Sequence, residues 1–479
     1  MQTALQMIQS NYYNCWDKDK KMDDLILSAK KSLFRFTHEF SNAQIMALGY
    51  FLVIFGGALL LMLPSATRPG QSTSFLTALF TATSSTCVTG LVVVDTSLHW
   101  TVFGQIVILV MIQVGGLGFM TMGVLFALFL QKKISLGVRG LVQESMNANE
   151  VGGMVRMVQF VVRGTLTIEA IGAILLAIRF VPRIGVLKGI YYGIFHSVSA
   201  FCNAGYDLMG YYSGAYASLV DYVGDPLINL VVMALIIIGG IGFFVWYDIY
   251  RYKFHWRKYA LHTKMALSMT LFLIVVGTIL LYVLERNNTL AGMNPGEGIL
   301  ASMFGSVTAR TAGFNTTDTA SLTSASKLVT ILLMFIGGSP GSTAGGVKTV
   351  SVFVLVVYVW SNLRGERGCN VFGRRVSDEN IKKASNVVLI NLIMAMFAAI
   401  AISAMQAIPM ENIMFEIFSA IGTVGMSTGI TRDLNSVSRV IIILLMYCGR
   451  VGGMSFAMSF TERKKVPPVQ LPVEKVMIG

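Results

Sequence analysis

The chain has 479 residues, of which 54% are hydrophobic and only 13% are charged. Soluble domains carry about 25% charged residues, so the composition excludes an ordinary soluble protein and indicates a membrane protein. The net charge of +13 does not point to nucleic acid, because Lys and Arg cluster between hydrophobic stretches, as they do in the cytoplasmic loops of membrane proteins.

Residues 1–40 form a polar, charged segment before the first hydrophobic stretch. They lack the short apolar core followed by small residues that a cleavable signal peptide requires. Leu25, Ile26, Ala29 and Leu33 share one face of a helix, so we predict an amphipathic cytoplasmic helix there. Its partner, another protein or the membrane surface, stays open.

Eight apolar stretches are long enough to cross a bilayer, which takes about 20 residues of helix. They lie near 45–64, 101–130, 155–182, 226–249, 265–284, 327–360, 384–408 and 437–460. A shorter apolar segment lies inside each consecutive pair, near 74–86, 189–201, 297–310 and 411–422. These four segments are too short to span, so we predict re-entrant half-helices. The fold class predicted is an all-α membrane protein of four tandem repeats, each a span, a half-helix, a loop and a second span.

Each half-helix leads into a short stretch with a glycine beside small or polar residues. The stretches are 87–90, 202–205, 310–313 and 422–425, and their last glycines are 115, 108 and 112 residues apart. Glycine reaches the backbone angles that turn successive carbonyls to one side, and rings of carbonyls replace the hydration shell in potassium filters. We therefore predict an ion filter around a central pore. Its residues are Val88, Thr89, Gly90, Asn203, Ala204, Gly205, Thr311, Ala312, Gly313, Thr423, Val424 and Gly425.

A second repeated feature is a glycine pair in the second span of each repeat. The pairs are Gly115-Gly116, Gly239-Gly240, Gly337-Gly338 and, with one replacement, Gly449-Arg450. They follow the loop glycines by 25, 34, 24 and 24 residues, so the second repeat holds an insertion of about ten residues near 211–225. Close helix packing accounts for these pairs alongside any role in the pore.

The basic clusters give the orientation. They precede the first span and follow the second, fourth, sixth and eighth spans. If each half-helix enters and leaves the membrane on the same side, all of these clusters lie on one side of the membrane. The positive-inside rule makes that side cytoplasmic, together with both termini. The predicted organisation is a cytoplasmic segment at 1–40, repeats at 41–140, 141–260, 261–375 and 376–465, and a cytoplasmic tail at 466–479.

The sixth span contains a run of glycines and a proline from Gly337 to Gly346. Such a run cannot keep a straight helix, so we predict a break or, as the alternative, a simple kink. A nucleotide-binding phosphate loop is excluded, because Val347 follows Gly346 where that motif requires Lys.

Charged groups inside spans usually face a cavity or a partner, because a charge at this depth is costly. For Arg450 the alternative to a pore role is a structural pair with a carboxylate or with carbonyls at a helix end. For Glu169 we favour a structural hydrogen bond, and His196 and Glu416 are interpreted as packing or network residues. One acid follows each loop glycine, and a ring of acids at the outer mouth is as well supported as ordinary solvated loops. These acids are Asp95, Asp207, Asp318 and Asp433.

The chain resembles the Trk/Ktr/HKT superfamily of potassium transporters, and most of all its KtrB branch, over about residues 40–465. The resemblance is carried by Thr89-Gly90-Leu91, by Asn203 to Tyr206, by Arg310 to Asn315, by Thr423-Val424-Gly425 and by Gly337 to Lys348. It implies potassium-selective uptake through a channel-like pore, since serine at the Gly90 position accompanies sodium permeation in the family. It also implies an intramembrane gate loop at 337–347 in the third repeat, below the filter, with Ser342, Thr343 and Lys348 facing the cavity and Arg450 as a positive barrier. The gate residues are Gly337, Gly338, Ser339, Pro340, Gly341, Ser342, Thr343, Ala344, Gly345, Gly346, Lys348 and Arg450.

The same resemblance implies a homodimer in the lipid membrane of a prokaryotic cell, controlled by a cytoplasmic ring of nucleotide-binding, KtrA-like subunits. No cofactor is expected on this chain. K⁺ at the filter is the transported ion, with Na⁺ as a candidate coupling or activating ion.

Three other functions make different demands on the sequence. A sodium-selective or sodium-coupled transporter of the same architecture is the main alternative. An alternating-access transporter would show inverted repeats, whereas the charges give all four repeats one orientation. No paired catalytic residues support an intramembrane enzyme, so we expect that the chain is not an enzyme.

Overall fold

The computed structural model describes residues 42–118, 154–253, 255–366 and 368–453. The predicted N-terminal helix, the C-terminal tail and the second half of the predicted span at 101–130 lie outside these ranges. The described chain is mostly helical, with one antiparallel hairpin of two short strands, β1 (Asn370–Val371) and β2 (Arg374–Arg375).

Sixteen α-helices fall within the described residues. In chain order they are α1 (Asn42–Leu61), α2 (Phe75–Thr86), α3 (Thr96–His99), α4 (Val102–Leu117), α5 (Met154–Ile184), α6 (Val186–Phe201), α7 (Gly210–Ser213), α8 (Pro226–Gly240), α9 (Phe243–Tyr252), α10 (Leu261–Glu285), α11 (Pro295–Thr308), α12 (Ser324–Phe335), α13 (Thr349–Leu363), α14 (Asp378–Met405), α15 (Met410–Gly422) and α16 (Ser436–Val451). Single turns of 3₁₀-helix lie at Val220–Tyr222, Trp256–Lys258 and Ile430–Arg432.

Four described helices, α1, α5, α10 and α14, are long and apolar enough to cross a membrane. Their outward faces carry large exposed apolar side chains, such as Phe51, Ile174 and Phe397. That exposure is typical of a surface that faces lipid rather than water.

The four short helices α2, α6, α11 and α15 begin and end close to the predicted half-helices. We call them the inner helices, because most residues in their second halves are buried. Local signals fix two of their starts. The Ser74 hydroxyl accepts the N–H of Thr77 at α2, and Asn294 and Glu297 form a capping box around Pro295 at α11.

The helices pack as four groups that close into a ring. In each group a long helix (α1, α5, α10 or α14) contacts both an inner helix and a further helix (α4, α8, α12 or α16). Between groups, α4 packs on α6, α8 on α11, α12 on α15 and α16 on α2. The last of these contacts joins the end of the described chain to its beginning, so the four inner helices surround a common centre.

The repeated glycines allow the ring to pack closely. A Cβ atom on Gly115, Gly239 or Gly449 would overlap a carbonyl oxygen at the C-terminal end of an inner helix. Those oxygens belong to Thr86, Phe201 and Ile421. The predicted packing role therefore holds for three of the four pairs, because only glycine lets the backbones approach this far.

The predicted span at 226–249 is not one straight helix. It consists of two helices, α8 and α9, bent by 95° at Ile241 and Gly242. Gly242 has φ of +101°, a conformation that glycine adopts without steric cost. The predicted break in the sixth span is confirmed, because α12 ends at Phe335 and α13 begins at Thr349.

Candidate functional site

The loops that follow the inner helices share one unusual backbone conformation. We call residues 87–90, 202–205, 310–313 and 422–425 the glycine loops. In each, a non-glycine residue with positive φ is followed, after one residue, by a glycine with positive φ. The φ values are 57° and 91° for Val88 and Gly90, 61° and 68° for Asn203 and Gly205, 73° and 80° for Thr311 and Gly313, and 52° and 91° for Thr423 and Gly425.

The four loops contact one another in cyclic order. A Cβ on Gly90 would overlap the carbonyl oxygen of Ala204, and one on Gly205 that of Ala312. In the same way, a Cβ on Gly313 would overlap the carbonyl oxygen of Val424, and one on Gly425 that of Thr89, which closes the circle. The glycines therefore leave no room for a side chain, and each loop places a main-chain oxygen against the next.

The loops are held on the inner helices by hydrogen bonds from loop N–H groups to helix carbonyl oxygens. The N–H of Thr89 donates to the Ser84 carbonyl at 2.8 Å, that of Ala204 to Ser199 at 2.7 Å, and that of Val424 to Ser419 at 2.8 Å. The third loop uses the neighbouring turn instead, with Ala312 donating to Thr308 at 2.9 Å. The donors are thus turned towards the helices.

The carbonyl oxygens of the same loops have no such partners. Within the described ranges, none of the twelve carbonyls of residues 88–90, 203–205, 311–313 and 423–425 accepts a hydrogen bond. The buried hydroxyls of Thr86, Thr89, Ser199 and Thr423 also lack partners. Buried acceptors are normally paired, so this concentration of free oxygens at the centre of the ring calls for a ligand that binds oxygen, such as a cation.

A cavity of about 360 Å³ lies directly beside the loops. Its floor includes Gly90, Gly205, Gly313 and Gly425, and its walls include charged side chains from all four groups. Three of the four expected acids line the cavity, namely Asp95, Asp207 and Asp318. Asp433 is not part of the lining, and in the fourth group Arg432 lines the cavity instead. The hypothesis of one acid per repeat is therefore wrong for the fourth repeat. Asp95 also caps α3, accepting the N–H groups of Ser97 and Leu98 at 2.9 Å each.

Residues 336–348, which we call the broken-span loop, pack against the bend between α8 and α9. The N–H of Ser339 donates to the Gly240 carbonyl at 2.9 Å, and the N–H of Phe243 donates to the Gly341 carbonyl at 2.7 Å. The two interrupted helices thus satisfy each other's backbone groups, as irregular backbone at membrane depth requires. Sequence reasoning missed this joint, although the glycines at 239, 240 and 242 were a visible signal.

The broken-span loop also contacts the end of α6 and the fourth glycine loop. Thr343 donates its hydroxyl to the Phe201 carbonyl at 3.2 Å, and Gly345 abuts the side chain of Thr423. Ser342 donates to the Ser339 carbonyl at 2.6 Å, and Lys348 to the Ala344 carbonyl at 2.8 Å. These side chains are engaged within the loop or with α6, and the loop itself is largely buried.

Arg450 connects three parts of the ring. Its guanidinium donates to the Thr343 carbonyl of the broken-span loop and to the Gly115 and Gly116 carbonyls of α4. No carboxylate pairs with it among the described residues. Both arrangements expected for Arg450 are therefore present. It contacts carbonyls at the end of α4, and it contacts the broken-span loop.

The other three ionisable residues singled out in the sequence have structural partners. Glu169 accepts the side-chain N–H of Gln113 at 3.2 Å and lies 3.8 Å from the Cys202 sulfur. One ring nitrogen of His196 lies 2.8 Å from the Tyr192 carbonyl, and Glu416 accepts the Ser427 hydroxyl at 2.8 Å. They brace the inner helices, as interpreted from the sequence.

Comparison with known proteins gives concordant matches over nearly the whole chain. The sequence model of the TrkH family, described as cation transport protein, matches residues 26–467. The chain is 40% identical over 446 residues to the potassium/sodium uptake protein NtpJ of Enterococcus hirae, covering 92% of this chain and 97% of that protein. It is 42% identical over 443 residues to the Ktr system potassium uptake protein B of Bacillus subtilis, again covering 92% and 97%.

A solved structure has the same fold. The crystal structure of the potassium transporter TrkH from Vibrio parahaemolyticus aligns with a TM-score of 0.70 at 16% identity, covering 88% of this chain and 85% of that one. At this identity the likeness concerns the fold alone.

Proposed function

Because this chain belongs to the TrkH family of cation transport proteins, we propose that it takes up potassium ions through a pore whose filter is the four glycine loops. Two relatives that share 40–42% of its residues are named for potassium uptake, which supports the choice of ion. The family is one of transporters and not of enzymes, and the chain is a multi-pass membrane protein.

One observation carries the proposal, the ring of unpaired carbonyl oxygens around the loop glycines. A potassium ion loses its water shell at low cost only where other oxygens replace it, and carbonyl oxygens do so in known filters. The inner helices add to this effect, because their C-terminal ends, which carry partial negative charge, point at the ring. The predicted filter residues are those named from the sequence, and all four loop glycines fit potassium selectivity.

The proposed membrane arrangement is four repeats around the pore, with eight spans and the four inner helices as re-entrant half-helices. The repeat bounds are those predicted from the sequence, and the termini lie in the cytoplasm of a prokaryotic cell. The ring-wise packing of the four helix groups supports this arrangement.

The proposed gate is the broken-span loop together with Arg450. Its support is its position, since it contacts the end of α6 and the fourth glycine loop, while Arg450 ties it to α4. The cytoplasmic ring of KtrA-like subunits and the homodimer remain proposals from the resemblance. The word system in the name of the Bacillus subtilis relative supports a further subunit.

Sodium uptake is a second candidate, because the Enterococcus hirae relative is named for both potassium and sodium. It differs from the first in the ion and not in the pathway.

The test is growth and ion uptake in a bacterium that lacks its own potassium uptake, kept in low-potassium medium. The wild-type chain should restore growth and take up K⁺ in preference to Na⁺. The Gly90→Ser variant should lower the K⁺/Na⁺ uptake ratio at least about tenfold, because the hydroxymethyl group displaces the Ala204 oxygen; a tenfold change corresponds to about 1.4 kcal/mol.

The matched control is Gly292→Ser, at a glycine with a similar φ of +87° but with no atom within 4 Å of the position that a Cβ would take. It should keep the wild-type ratio. Equal ion preference in wild type and Gly90→Ser would contradict the filter assignment, and failure of the wild type to restore growth would contradict potassium uptake. A wild-type preference for Na⁺ would favour the second candidate.

A further inference from the structure

Helix α9 leaves the body of the protein at a sharp bend. It is turned by 95° from α8, and its early residues Phe243, Val245 and Trp246 are buried. Its second half is exposed, and the exposed fraction reaches 41% for Tyr247 and 73% for Tyr250. We call α9 together with the basic turn that follows it, residues 243–253 and 255–258, the surface segment.

Two helices that are long enough to cross the membrane, α5 and α10, fix the depth of the surface segment. The centre of the Phe160 ring, in the second turn of α5, lies 5.3 Å from that of the Tyr250 ring. At the start of α10, Asp248 accepts the N–H of Ala260 at 3.1 Å and the hydroxyl of Thr263 at 2.6 Å. Both long helices therefore meet α9 near their N-terminal ends, which places the surface segment at one face of the membrane.

Contacts with the rest of the protein hold α9 in this position. The N–H of Phe243 donates to the Gly341 carbonyl at 2.7 Å, and the indole N–H of Trp246 donates to the Ile238 carbonyl at 2.8 Å. The Trp246 ring also packs on the ring of Phe201, the last residue of α6, with 5.6 Å between the ring centres. Because α9 is fixed in this way, its exposed residues point in a set direction.

The exposed residues of the surface segment combine aromatic rings with positive charge. The aromatic residues are Tyr247, Tyr250 and Trp256. The basic residues, all exposed, are Arg251, Lys253, Arg257 and Lys258. Within the described ranges, none of these four forms an ion pair with a carboxylate. In the same ranges the hydroxyls of Tyr247 and Tyr250 have no hydrogen-bonding partner. The segment therefore presents free donors and unbalanced positive charge.

This chemistry matches the headgroup layer of a membrane. Tyr and Trp concentrate in that layer, because one part of the ring is apolar and the other forms hydrogen bonds. Lys and Arg near the surface are attracted by anionic lipids. A soluble protein could match the charges as well, but the rings lie at the level where α5 and α10 begin, which favours lipid.

We propose that the surface segment is a binding site for anionic phospholipids. Arg251, Arg257 and Lys258 bind the phosphate groups of the lipids, and Tyr247 and Tyr250 lie among the headgroups beside α5. The site stands apart from the proposed function, so its test needs no transport.

The test measures how strongly phospholipids with a doxyl group near the headgroup quench a fluorescent label on α9 in lipid nanodiscs. An Ile249→Cys substitution provides the labelling site in the exposed half of α9. Cys15→Ser is included, and the native cysteines at 87, 202, 369 and 448 are buried. The doxyl group is carried either by phosphatidylglycerol, which is anionic, or by phosphatidylcholine, which has no net charge. Each is a minor component, at the same fraction, of discs made of phosphatidylcholine.

Both doxyl lipids should quench the label. The phosphatidylglycerol form should quench about fivefold more strongly, the enrichment that about one basic residue gives near an anionic headgroup. The combined variant Arg251→Gln, Arg257→Gln and Lys258→Gln should lose this excess. It should keep the quenching by the phosphatidylcholine form, which verifies that α9 is still folded and in place.

The matched control removes the same number of exposed basic residues from the hairpin and the start of α14, as Arg374→Gln, Lys382→Gln and Lys383→Gln. It should keep the excess. The proposal is overturned if the phosphatidylcholine form does not quench the label, since α9 would then lie away from the membrane and its charges would suit a soluble protein. It is also overturned if the two forms quench equally before any basic residue is changed, or if the control variant loses the excess as fully as the first variant.

Discussion

At the scale of the residue, Val88, Asn203, Thr311 and Thr423 adopt backbone angles that side chains normally disfavour. Each such residue costs about 1–2 kcal/mol relative to an ordinary conformation. The same position in all four glycine loops carries this cost, so the cost follows from a backbone conformation that the four loops share. What the geometry achieves is the turning of N–H groups towards the inner helices and of carbonyls away from them.

Replacing Arg450 by a neutral residue should raise the rate of K⁺ transport. Replacing it by Gln takes a positive charge from the proposed pathway and weakens the contacts with Thr343, Gly115 and Gly116. A cation passing at about 8 Å gains about 2 kcal/mol from losing this charge at an effective dielectric constant of about 20. Since about 1.4 kcal/mol corresponds to a factor of about ten, we expect K⁺ uptake by Arg450→Gln to exceed that of the wild type by about tenfold or more, measured as initial rate per unit of protein in the membrane.

The control for that prediction is Arg163→Gln, which removes an exposed arginine from α5. It should leave the rate unchanged. A lower rate in Arg450→Gln at equal expression would mean that the residue supports the pathway instead of restricting it.

At the scale of the element, the broken-span loop and the bend between α8 and α9 form one unit. Neither interruption would be stable alone, because a helix broken at membrane depth leaves N–H and C=O groups unpaired. The bonds from Ser339 to Gly240 and from Phe243 to Gly341 remove this cost for both. The proposed gate includes this unit, so it can open only if the two parts separate or move together.

Gly242→Ala should disturb this unit from the side of α8 and α9. Its Cβ would lie 2.8 Å from the Pro340 carbonyl oxygen, so the broken-span loop must shift. We expect a leak, seen as K⁺ loss from loaded proteoliposomes that exceeds the wild-type rate severalfold. Gly292→Ala carries the same backbone strain without a neighbour within 4 Å and should not leak. Equal rates for both variants would show that strain alone, and not the contact with the loop, is responsible.

The inner helices were predictable because their signals are local. Length, apolar character and a following glycine identify α2, α6, α11 and α15 from the sequence alone, and the break after Phe335 follows from its glycines and proline. The bend after Gly240 was not predictable in this way. Its cause is a hydrogen-bonding partner about a hundred residues later in the chain, which periodicity and composition do not reveal.

The same contrast holds for the candidate site. Spacing located the loop glycines, but the cyclic contacts between loops and the unpaired carbonyls depend on how four distant segments meet. The acid at 433 failed to join the cavity for a similar reason, because the turn at Ile430–Arg432 brings Arg432 to the wall instead.

At the scale of the whole molecule, ring closure makes a single cavity from four separate chain segments. Its walls are chemically uneven, with an aspartate from each of the first three helix groups (Asp95, Asp207 and Asp318) and Arg432 from the fourth. The four glycine loops are thus alike in backbone conformation, whereas the four helix groups differ in charge outside them. A cation approaching the loops meets a field that favours the side of the first three helix groups over the side of Arg432.

The protonation state of Asp207 should make K⁺ uptake depend on the external pH. Burial, and after it the negative charge of Asp95, raises the pKa of Asp207 to about 7. The carboxyl is therefore ionised above that pH and neutral below it, so acidification removes one negative charge from a wall that also holds Asp318 and Arg432. One charge at about 8 Å in water contributes about 0.5 kcal/mol, which predicts a fall in K⁺ uptake of about twofold between pH of about 8 and about 6. Initial uptake rates in proteoliposomes at fixed internal pH measure it. Asp207→Asn should remove the dependence and Asp318→Asn should retain it, whereas a pH profile that Asp207→Asn leaves unchanged would assign the effect to another group.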